Sequence, residues 1–591
     1  MEIKRLFDYL TLQVQDRPNQ NFLSAKEIEL PGKPWKSYTF KEVAEISDQV
    51  SQLLMNLGIK KGDMIAMSAN NRPEWNFVDL GCQQIGAVLV PLYPTASLND
   101  FKFIFNDAEV KYAFVSDAIL FKKVTTIQAE VPSLKGIYTF DTVSGSVNWK
   151  EVLPALSEVN QAELQKLKAA IDEKDLATII YTSGTTGNPK GVMLSHFNMV
   201  SNLKATDSIL PFEEGRKSLS FLPLCHVFER IVFFAYLKNV IHVHYAENLE
   251  TIGENLKEVS PFVFTTVPRL LEKVYEKIME KGNALDGFKK KLFFWSIDLG
   301  TKYKLNTDQG FLYNLQLKIA RKLVFSKWQE ALGGGVKFIV TGAAPLQARL
   351  GTLFSAAGIA VVEGYGLSEA SPGLSINRFE ETERMIGSVG IPLPNLEIKL
   401  AEDGEILAKG PNIMMGYYKR PDLTAEVIDA DGYLHTGDIA EWVDGKFLKI
   451  TDRKKELFKT SGGKYVAPSP IENKLKESRF IEQVMLVGDN QKFITALVVP
   501  SFLNLQAWAK ENNLPYDGNE QIVNNDKVKA LINAEIEGFN KDLGHVEKVK
   551  KIALLPKEWT IEDSELTPTL KVKRKIILAK YESWVSKMYE D

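Results

Sequence analysis

Cysteine is almost absent: Cys82 and Cys225 are the only two among 591 residues. A disulfide framework is therefore excluded, and two buried, reduced thiols in a reducing compartment are expected. Histidine is also scarce, with six residues. Only His242 and His244 come close to ligand spacing, on one face of a strand, so no zinc site is expected. Neither sign of charge is in excess, since 72 Lys and Arg meet 75 Asp and Glu and leave a net charge of −3. That balance gives no general attraction to nucleic acid or to anionic lipid, and no nucleic-acid partner is expected. Long apolar runs are missing too. Residues 231–237 (IVFFAYL) and 177–181 (ATIIY) are among the longest, far short of the ~20 residues of a membrane span. The opening MEIKRLFDYL lacks the apolar core and cleavage site of a signal peptide. A cytoplasmic protein is expected, with peripheral contact at the inner face of the membrane left open. Repeats and low-complexity tracts are absent as well.

What remains is the composition of a folded protein, 45% hydrophobic and 25% charged. The length allows about three to five domain-sized units. Strand-like runs at residues 64–68, 87–90, 112–116, 177–181, 262–265, 336–340 and 359–362 alternate with helical periodicity at 47–57, 75–85, 97–107 and 269–281. Such alternation predicts an α/β fold with largely parallel sheets. Between residues 396 and 450 short strands and turns replace it, predicting a small β-rich subdomain. A boundary is expected at 452/453. It leaves a large N-terminal domain of layered α/β sheets (1–452) and a smaller α+β C-terminal lid (453–591). In the lid, strands are expected at 483–487 and 495–499 and helices at 501–512 and 526–539.

Residues 181–191 read YTSGTTGNPKG. Hydroxyl side chains, glycines and Lys190 together can aim N–H groups, hydroxyls and an ammonium at a polyphosphate. The glycines let the backbone approach phosphate oxygens without an intervening Cβ. Apolar runs on both sides predict a strand-to-strand turn. This is not a Walker A loop, which needs Gly directly before Lys and opens a helix; here Pro189 precedes Lys190 and Gly191 follows. A hydrolase elbow is also rejected. Residues 366–370 (GLSEA) nearly match G-x-S-x-G, but Ala370 stands where the final Gly is needed.

The eleven-residue string resembles the phosphate loop of the adenylate-forming superfamily, which includes acyl-CoA synthetases, luciferases and peptide-synthetase adenylation domains. Further motifs follow in that superfamily's order. They are AVLVPLYP at 87–94, PLCHVFER at 223–230, GYGLSE at 364–369, HTGD at 435–438, ITDRKKELFKTSGGKYVAPSPIE at 450–472 and LTPTLKVKR at 566–574. They span most of the chain. Residues 282–332 add a helical stretch rich in aromatics (Phe288, Phe293, Phe294, Trp295, Phe311, Tyr313, Phe325, Trp328) with interleaved lysines. It resembles the insertion of long-chain fatty acyl-CoA synthetases. Its expected form is a helical hairpin packed on the main domain; the sharper alternative is a wall of an acyl tunnel or a membrane-contacting surface.

The resemblance implies a ligase using ATP, Mg²⁺ and coenzyme A. A fatty acid carboxylate attacks the α-phosphate of ATP to give acyl-AMP, and the coenzyme A thiol then expels AMP. Thr182, Ser183, Gly184, Thr185, Thr186, Gly187 and Lys190 would hold the phosphates. Thr185 and Glu369 would hold Mg²⁺, a hard cation that takes oxygen ligands. Gly342, Ala343 and Ala344 would line adenine against Tyr365, itself set between Gly364 and Gly366. Ser368 stands where many relatives carry Thr, and its hydroxyl is kept. Asp438 would accept from the ribose hydroxyls, and Arg453 would reach the ribose or α-phosphate. Lys571 matches the C-terminal catalytic lysine; its close neighbours Lys573, Arg574 and Lys575 are the alternatives, and only the family motif selects Lys571. Lys455 matches the hinge about which a mobile lid turns. Ser461, Gly462, Gly463 and Lys464 would line the coenzyme A channel, and His226 would gate carboxylate or thiol access. Two alternatives share the fold: a fatty acyl-AMP ligase and a medium-chain or aryl acid–CoA ligase. A third, from another class, is a peripheral membrane scaffold without turnover. Monomer and homodimer are both compatible with the sequence.

Overall fold

The computed structural model describes residues 2–182, 188–207, 209–561, 563–567 and 571–590. Packing divides the chain into two compact units. One comprises Met1–Ala343, Thr352–Ile398 and Ala408–His435; the other comprises Ala344–Gly351, Lys399–Leu407 and Thr436–Asp591.

The first unit is built on two large mixed sheets. The eight-stranded sheet runs in the order Gly416–Tyr417, Lys190–Ser195, Leu176–Thr182, Val88–Pro91, Met64–Ser68, Tyr112–Val115, Gly136–Thr139 and Val147–Asn148. Its interior pairs are parallel, and its antiparallel pairs lie at the phosphate-loop end. Met64–Ser68 is buried on both faces, which explains why four consecutive positions, Met64 to Met67, are apolar. The nine-stranded sheet likewise has a parallel interior that includes Val263–Thr266, Phe338–Thr341 and Ala360–Gly366. Helix Pro73–Gln84 touches Val88–Pro91 of one sheet and Asn21–Lys26 of the other, and every residue of it is buried. Helix caps follow the local sequence. Thr39 and Glu42 form a reciprocal capping box before Phe40–Asn56, and Ser97 and Asp100 form another before Leu98–Asp107.

Within this buried layer, Arg230 pairs with Asp79 through Nε–Oδ2 at 3.1 Å, both side chains being 0% exposed. Gln83 also donates to Asp79. Removing either charged partner would leave a desolvated charge, at a cost of about 3–5 kcal/mol. Cys82 and Cys225 are buried, free thiols.

The second unit has its own core. Ile481–Val487 pairs antiparallel with Ile494–Pro500, which pairs parallel with Val549–Leu554, and helices Pro468–Leu475 and Asp526–Asn540 pack on them. A four-stranded sheet has the order Glu397–Leu400, Glu405–Lys409, Leu434–Val443 and Phe447–Arg453. The expected boundary at 452/453 falls inside its last strand, and from Thr436 onward the chain packs with the C-terminal unit. Antiparallel pairing of Leu434–Val443 with Phe447–Arg453 ties residues 436–452 to that unit.

Residues 287–331 form two helices in contact with each other, Gly287–Thr301 and Phe311–Ala320, as a hairpin requires, then a π-helical turn Arg321–Phe325 and a last turn Ser326–Ala331.

Candidate active site

The loop after Leu176–Thr182 returns as Lys190–Ser195, antiparallel, with Thr182 opposite Lys190. This is the expected strand-to-strand turn. Ser183, Gly184, Thr185, Thr186 and Gly187 lie outside the described residues, so only the two ends of the loop are placed. At the far end, Lys190 Nζ stands 5.1 Å from the centre of the Tyr417 ring, within cation–π range. The Tyr417 hydroxyl donates to Glu369 Oε1 at 2.7 Å. Burial and the Glu369 charge push the phenol well above its usual range, so Tyr417 remains a donor. Tyr417 reaches this point because Gly416–Tyr417 forms a short strand against Met193 and Val192. Glu369 sits on a single helical turn, Ser368–Ala370, whose peptide oxygen at Glu369 accepts from Met414 N at 2.9 Å. Lys190 and Glu369 thus both meet Tyr417, a residue that sequence reasoning missed. Its only local signal is a glycine before two tyrosines.

Tyr365 lies near the end of strand Ala360–Gly366, opposite Ser375. It packs partly buried against Ala370, Leu374, Ala408 and Leu434. Gly342 follows the neighbouring strand Phe338–Thr341. A Cβ on Gly342 would lie 3.2 Å from Gly364 O, and one on Gly366 would lie 1.9 Å from Pro372 O. Glycine is therefore what lets the backbone close up on both sides of Tyr365. Ala343 holds φ +68°, a left-handed conformation uncommon for a residue with a Cβ. Ala344 opens the segment that packs with the second unit.

In the second unit, Asp438 and Arg453 face each other across an antiparallel pair. Arg453 Nε donates to the buried Asp438 carboxylate at 3.1 Å. Lys571 lies within the fields of Arg453, Asp438 and Glu456. Burial, seconded by the like charge of Arg453, outweighs the two carboxylates and lowers the Lys571 ammonium to about 8. Lys571 N donates to Thr567 Oγ1 at 3.0 Å, and Thr567 N donates to Lys571 O at 2.8 Å. Of the neighbouring cations, Arg574 is committed elsewhere: it donates to both Glu472 oxygens at 2.6 Å and to Leu486 O.

Lys455 is exposed in the turn after strand Phe447–Arg453. Its neighbour Lys454 is tied to Asp403 at 2.6 Å and Glu405 at 2.9 Å. Ser461, Gly462, Gly463 and Lys464 form an exposed turn between Phe458–Lys459 and Tyr465–Val466. Thr460 N donates to Lys464 O at 2.9 Å, and Gly463 takes φ +79° to close the turn.

His226 caps helix Val227–Lys238, its Nδ1 accepting from Phe228 N at 3.1 Å. An accepting Nδ1 places the proton of the neutral ring on Nε2. Three residues on, the buried Glu229 accepts from Ser220 Oγ and Thr265 Oγ1, each at 2.6 Å. Burial raises its carboxyl to about 7 despite these bonds. The segment at 223–230 is therefore fixed by a cap, a buried acid and the Arg230–Asp79 pair.

Among the described residues, no three His, Cys, Asp or Glu side chains gather as a metal cluster. Glu369 stands as a single carboxylate held by the Tyr417 hydroxyl, an arrangement that suits Mg²⁺, which relies on one or two carboxylates and on substrate phosphates.

The chain is 35% identical to long-chain-fatty-acid–CoA ligase 1 of Homo sapiens, over 95% of this chain and 83% of that one. It is 33% identical to long chain acyl-CoA synthetase 3 of Arabidopsis thaliana, over 99% and 92% respectively. Its fold matches the A domain of carboxylic acid reductase from Segniliparus rugosus, solved in complex with AMP and a co-purified carboxylic acid, with a TM-score of 0.74 and 22% identity over 99% of this chain and 94% of that one. The AMP-binding enzyme family matches residues 10–418, and the AMP-binding enzyme C-terminal domain matches residues 456–591. With both parts matched in order, the chain belongs to the AMP-binding enzyme family.

Proposed function

We propose that the chain is an ATP-dependent long-chain fatty acid–CoA ligase. The observation that carries this reading is the likeness to long-chain ligases over almost the whole chain. The cluster of Lys190, Tyr417 and Glu369 supports it from the chemical side.

The reaction first joins a carboxylate oxygen to the α-phosphorus of ATP and breaks the bond to pyrophosphate. Negative charge builds on the α-phosphate and the leaving group, and fixed donors and cations there lower the barrier. Residues 183–190 hold the β- and γ-phosphates, with Lys190 as the point charge. When bound at Glu369 and Thr185, Mg²⁺ supplies a hard positive charge to the phosphate oxygens. Tyr365 stacks on adenine against the backbone of Gly342, Ala343 and Ala344. Asp438 accepts from the ribose hydroxyls, and Arg453 steadies the ribose or α-phosphate. Lys571 bridges the attacking carboxylate and the α-phosphate. In the second step the coenzyme A sulfur bonds to the acyl carbon and AMP leaves. The lid turns about Lys455 between the two steps, bringing the turn at Ser461–Lys464 to the coenzyme A channel, while His226 gates entry. The protein works in the cytoplasm, in peripheral contact with the inner face of the membrane.

Purified protein with ATP, Mg²⁺, palmitate and coenzyme A tests the reading. One AMP, one pyrophosphate and one acyl-CoA per turnover are expected. Across a chain-length series, kcat/KM is expected to be at least roughly tenfold higher near sixteen carbons than near six, since each buried methylene contributes ~0.8 kcal/mol. Acyl-AMP without thioester would indicate a fatty acyl-AMP ligase. A maximum at short or aryl acids would indicate the medium-chain or aryl alternative, and no turnover would leave a scaffold.

A further inference from the structure

Helix Phe311–Ala320 and the π turn after it are apolar on two opposite sides. The inward side is satisfied: Leu317, Ala320, Val324, Phe325 and Trp328 are buried, and the Tyr313 hydroxyl donates to Leu299 O at 3.0 Å. The outward side carries Phe311, Leu312, Leu315, Ile319 and Leu323, all exposed, from 84% for Phe311 to 42% for Ile319. Folding requires only the inward stripe. A second stripe of large apolar side chains on the same ten-residue helix is the mark of an interaction surface.

Its geometry keeps the stripe continuous. Residues four apart drift by roughly 40° per step around an α-helix. The wider π turn at Arg321–Phe325 slows that drift and holds Leu323 nearer the line of Phe311, Leu315 and Ile319. Lys318 and Lys322 are exposed; Lys318 follows Phe311 by seven residues and so stands within roughly 20° of it, and Lys322 lies on the π turn next to Leu323. Long lysine stems can cover apolar surface while their ammonium groups reach outward. The charge is local as well. Residues 287–331 hold nine Lys or Arg against Asp298, Asp308 and Glu330, in a chain whose net charge is −3; Lys302 pairs with Asp298 and Lys327 with Glu330, which leaves Lys318 and Lys322 beside the stripe.

We infer that this outward face lies in the surface of an anionic lipid bilayer. An apolar stripe bordered by lysines is the pattern of a helix lying in the interface plane, its apolar side among acyl chains and its cations at anionic headgroups. Ten residues are too few to cross a bilayer. A soluble protein partner with an apolar patch would not call for the concentration of positive charge. The inference names the face and the lipid charge for the peripheral contact in the ligase reading, and it rests on that reading only for its biological purpose.

Flotation of the full chain with phosphatidylcholine vesicles, with and without phosphatidylglycerol, tests it without any turnover. The protein is expected to float with phosphatidylglycerol-containing vesicles, less with phosphatidylcholine alone, and less as salt rises. Phe311→Ser/Leu315→Ser/Ile319→Ser is expected to cut the bound fraction roughly tenfold or more. Lys318→Glu/Lys322→Glu is expected to abolish the preference for phosphatidylglycerol. Both variants should make acyl-CoA from albumin-delivered palmitate at the wild-type rate, which also shows that they fold. Wild type that stays unbound at low salt would overturn the inference, as would a triple variant that floats as well as wild type. So would sedimentation showing a dimer that the triple variant dissociates. Flotation through this stripe without acyl-CoA formation would sink the ligase reading alone; acyl-CoA formation without flotation would sink this inference alone.

Discussion

If Lys571 acts as a cation in acyl-AMP formation, the first half-reaction must fail as that lysine loses its proton. The ammonium is lowered to about 8 by burial and by Arg453, against the pull of Asp438 and Glu456. A lowered lysine is charged below its pKa and neutral above it. At pH 7 roughly nine molecules in ten carry the charge, and at pH 9 roughly one in ten, one pH unit being one factor of ten. Palmitate-dependent exchange of pyrophosphate into ATP measures this step without coenzyme A, whose thiol titrates in the same range. The exchange rate is expected to be flat towards pH 7 and to fall about tenfold per unit above pH 8. Lys571→Ala should lower it by roughly 10²–10³ and erase the alkaline limb. Lys571→Arg should keep part of the rate and push the limb beyond the accessible range, because a guanidinium does not deprotonate there. Arg453→Gln removes a like charge and should move the limb upward; Asp438→Asn removes a compensating charge and should move it downward. An alkaline limb that stays near 8 in Lys571→Arg would show that another group titrates. A downward shift in Arg453→Gln would show that the local charges have been assigned the wrong influence.

Glu369→Gln should slow acyl-AMP formation by roughly 10²–10³ and raise the Mg²⁺ concentration needed for half-maximal rate; an unchanged Mg²⁺ titration removes Glu369 from the site. Tyr417→Phe keeps the ring under Lys190 but deletes the hydroxyl on Glu369. A hydrogen bond to a charged acceptor contributes ~1.5–3 kcal/mol, so pyrophosphate release should fall roughly ten- to a hundredfold; wild-type kinetics in stopped-flow would refute that role. Lys455→Pro fixes φ near roughly −65° at the turn. It should spare pyrophosphate exchange and cripple thioester formation from preformed acyl-AMP, and equal loss of both steps would contradict the hinge assignment.

The interior strands could be read from the chain because they are buried on both faces. Met64–Ser68 is apolar at four of its five positions and appears at the expected limits. Helix starts were legible where a short-range signal exists, as at Ser97 and Asp100. The site was legible only as far as its motifs reach along the chain. GYGLSE marks Glu369, but nothing periodic marks Tyr417, 48 residues later, as its hydrogen-bond donor. PLCHVFER marks His226 without showing that its ring caps a helix or that Glu229 is buried between two hydroxyls. Linear patterning does not report pairing: Leu434–Val443 goes where its partner strand goes, so residues 436–452 pack with the unit whose start the sequence sets at 453. Likewise the sequence marks residues 282–332 as helical and rich in aromatics, but not which side meets the core.

Tyr417 serves two masters with one side chain: its ring faces the Lys190 ammonium and its hydroxyl holds Glu369. A cation over the ring draws electron density from the phenol and makes its O–H a stronger donor. An anion that draws Lys190 away weakens that donor and loosens its hold on Glu369, leaving the carboxylate readier to take a cation. If Lys190 takes the polyphosphate and Glu369 the cation, as proposed, occupancy at one end favours occupancy at the other, and the coupling is reciprocal: by whatever factor polyphosphate tightens cation binding, the cation must tighten polyphosphate binding by the same factor. Replacing this one tyrosine hydroxyl would separate two equilibria that the native side chain links.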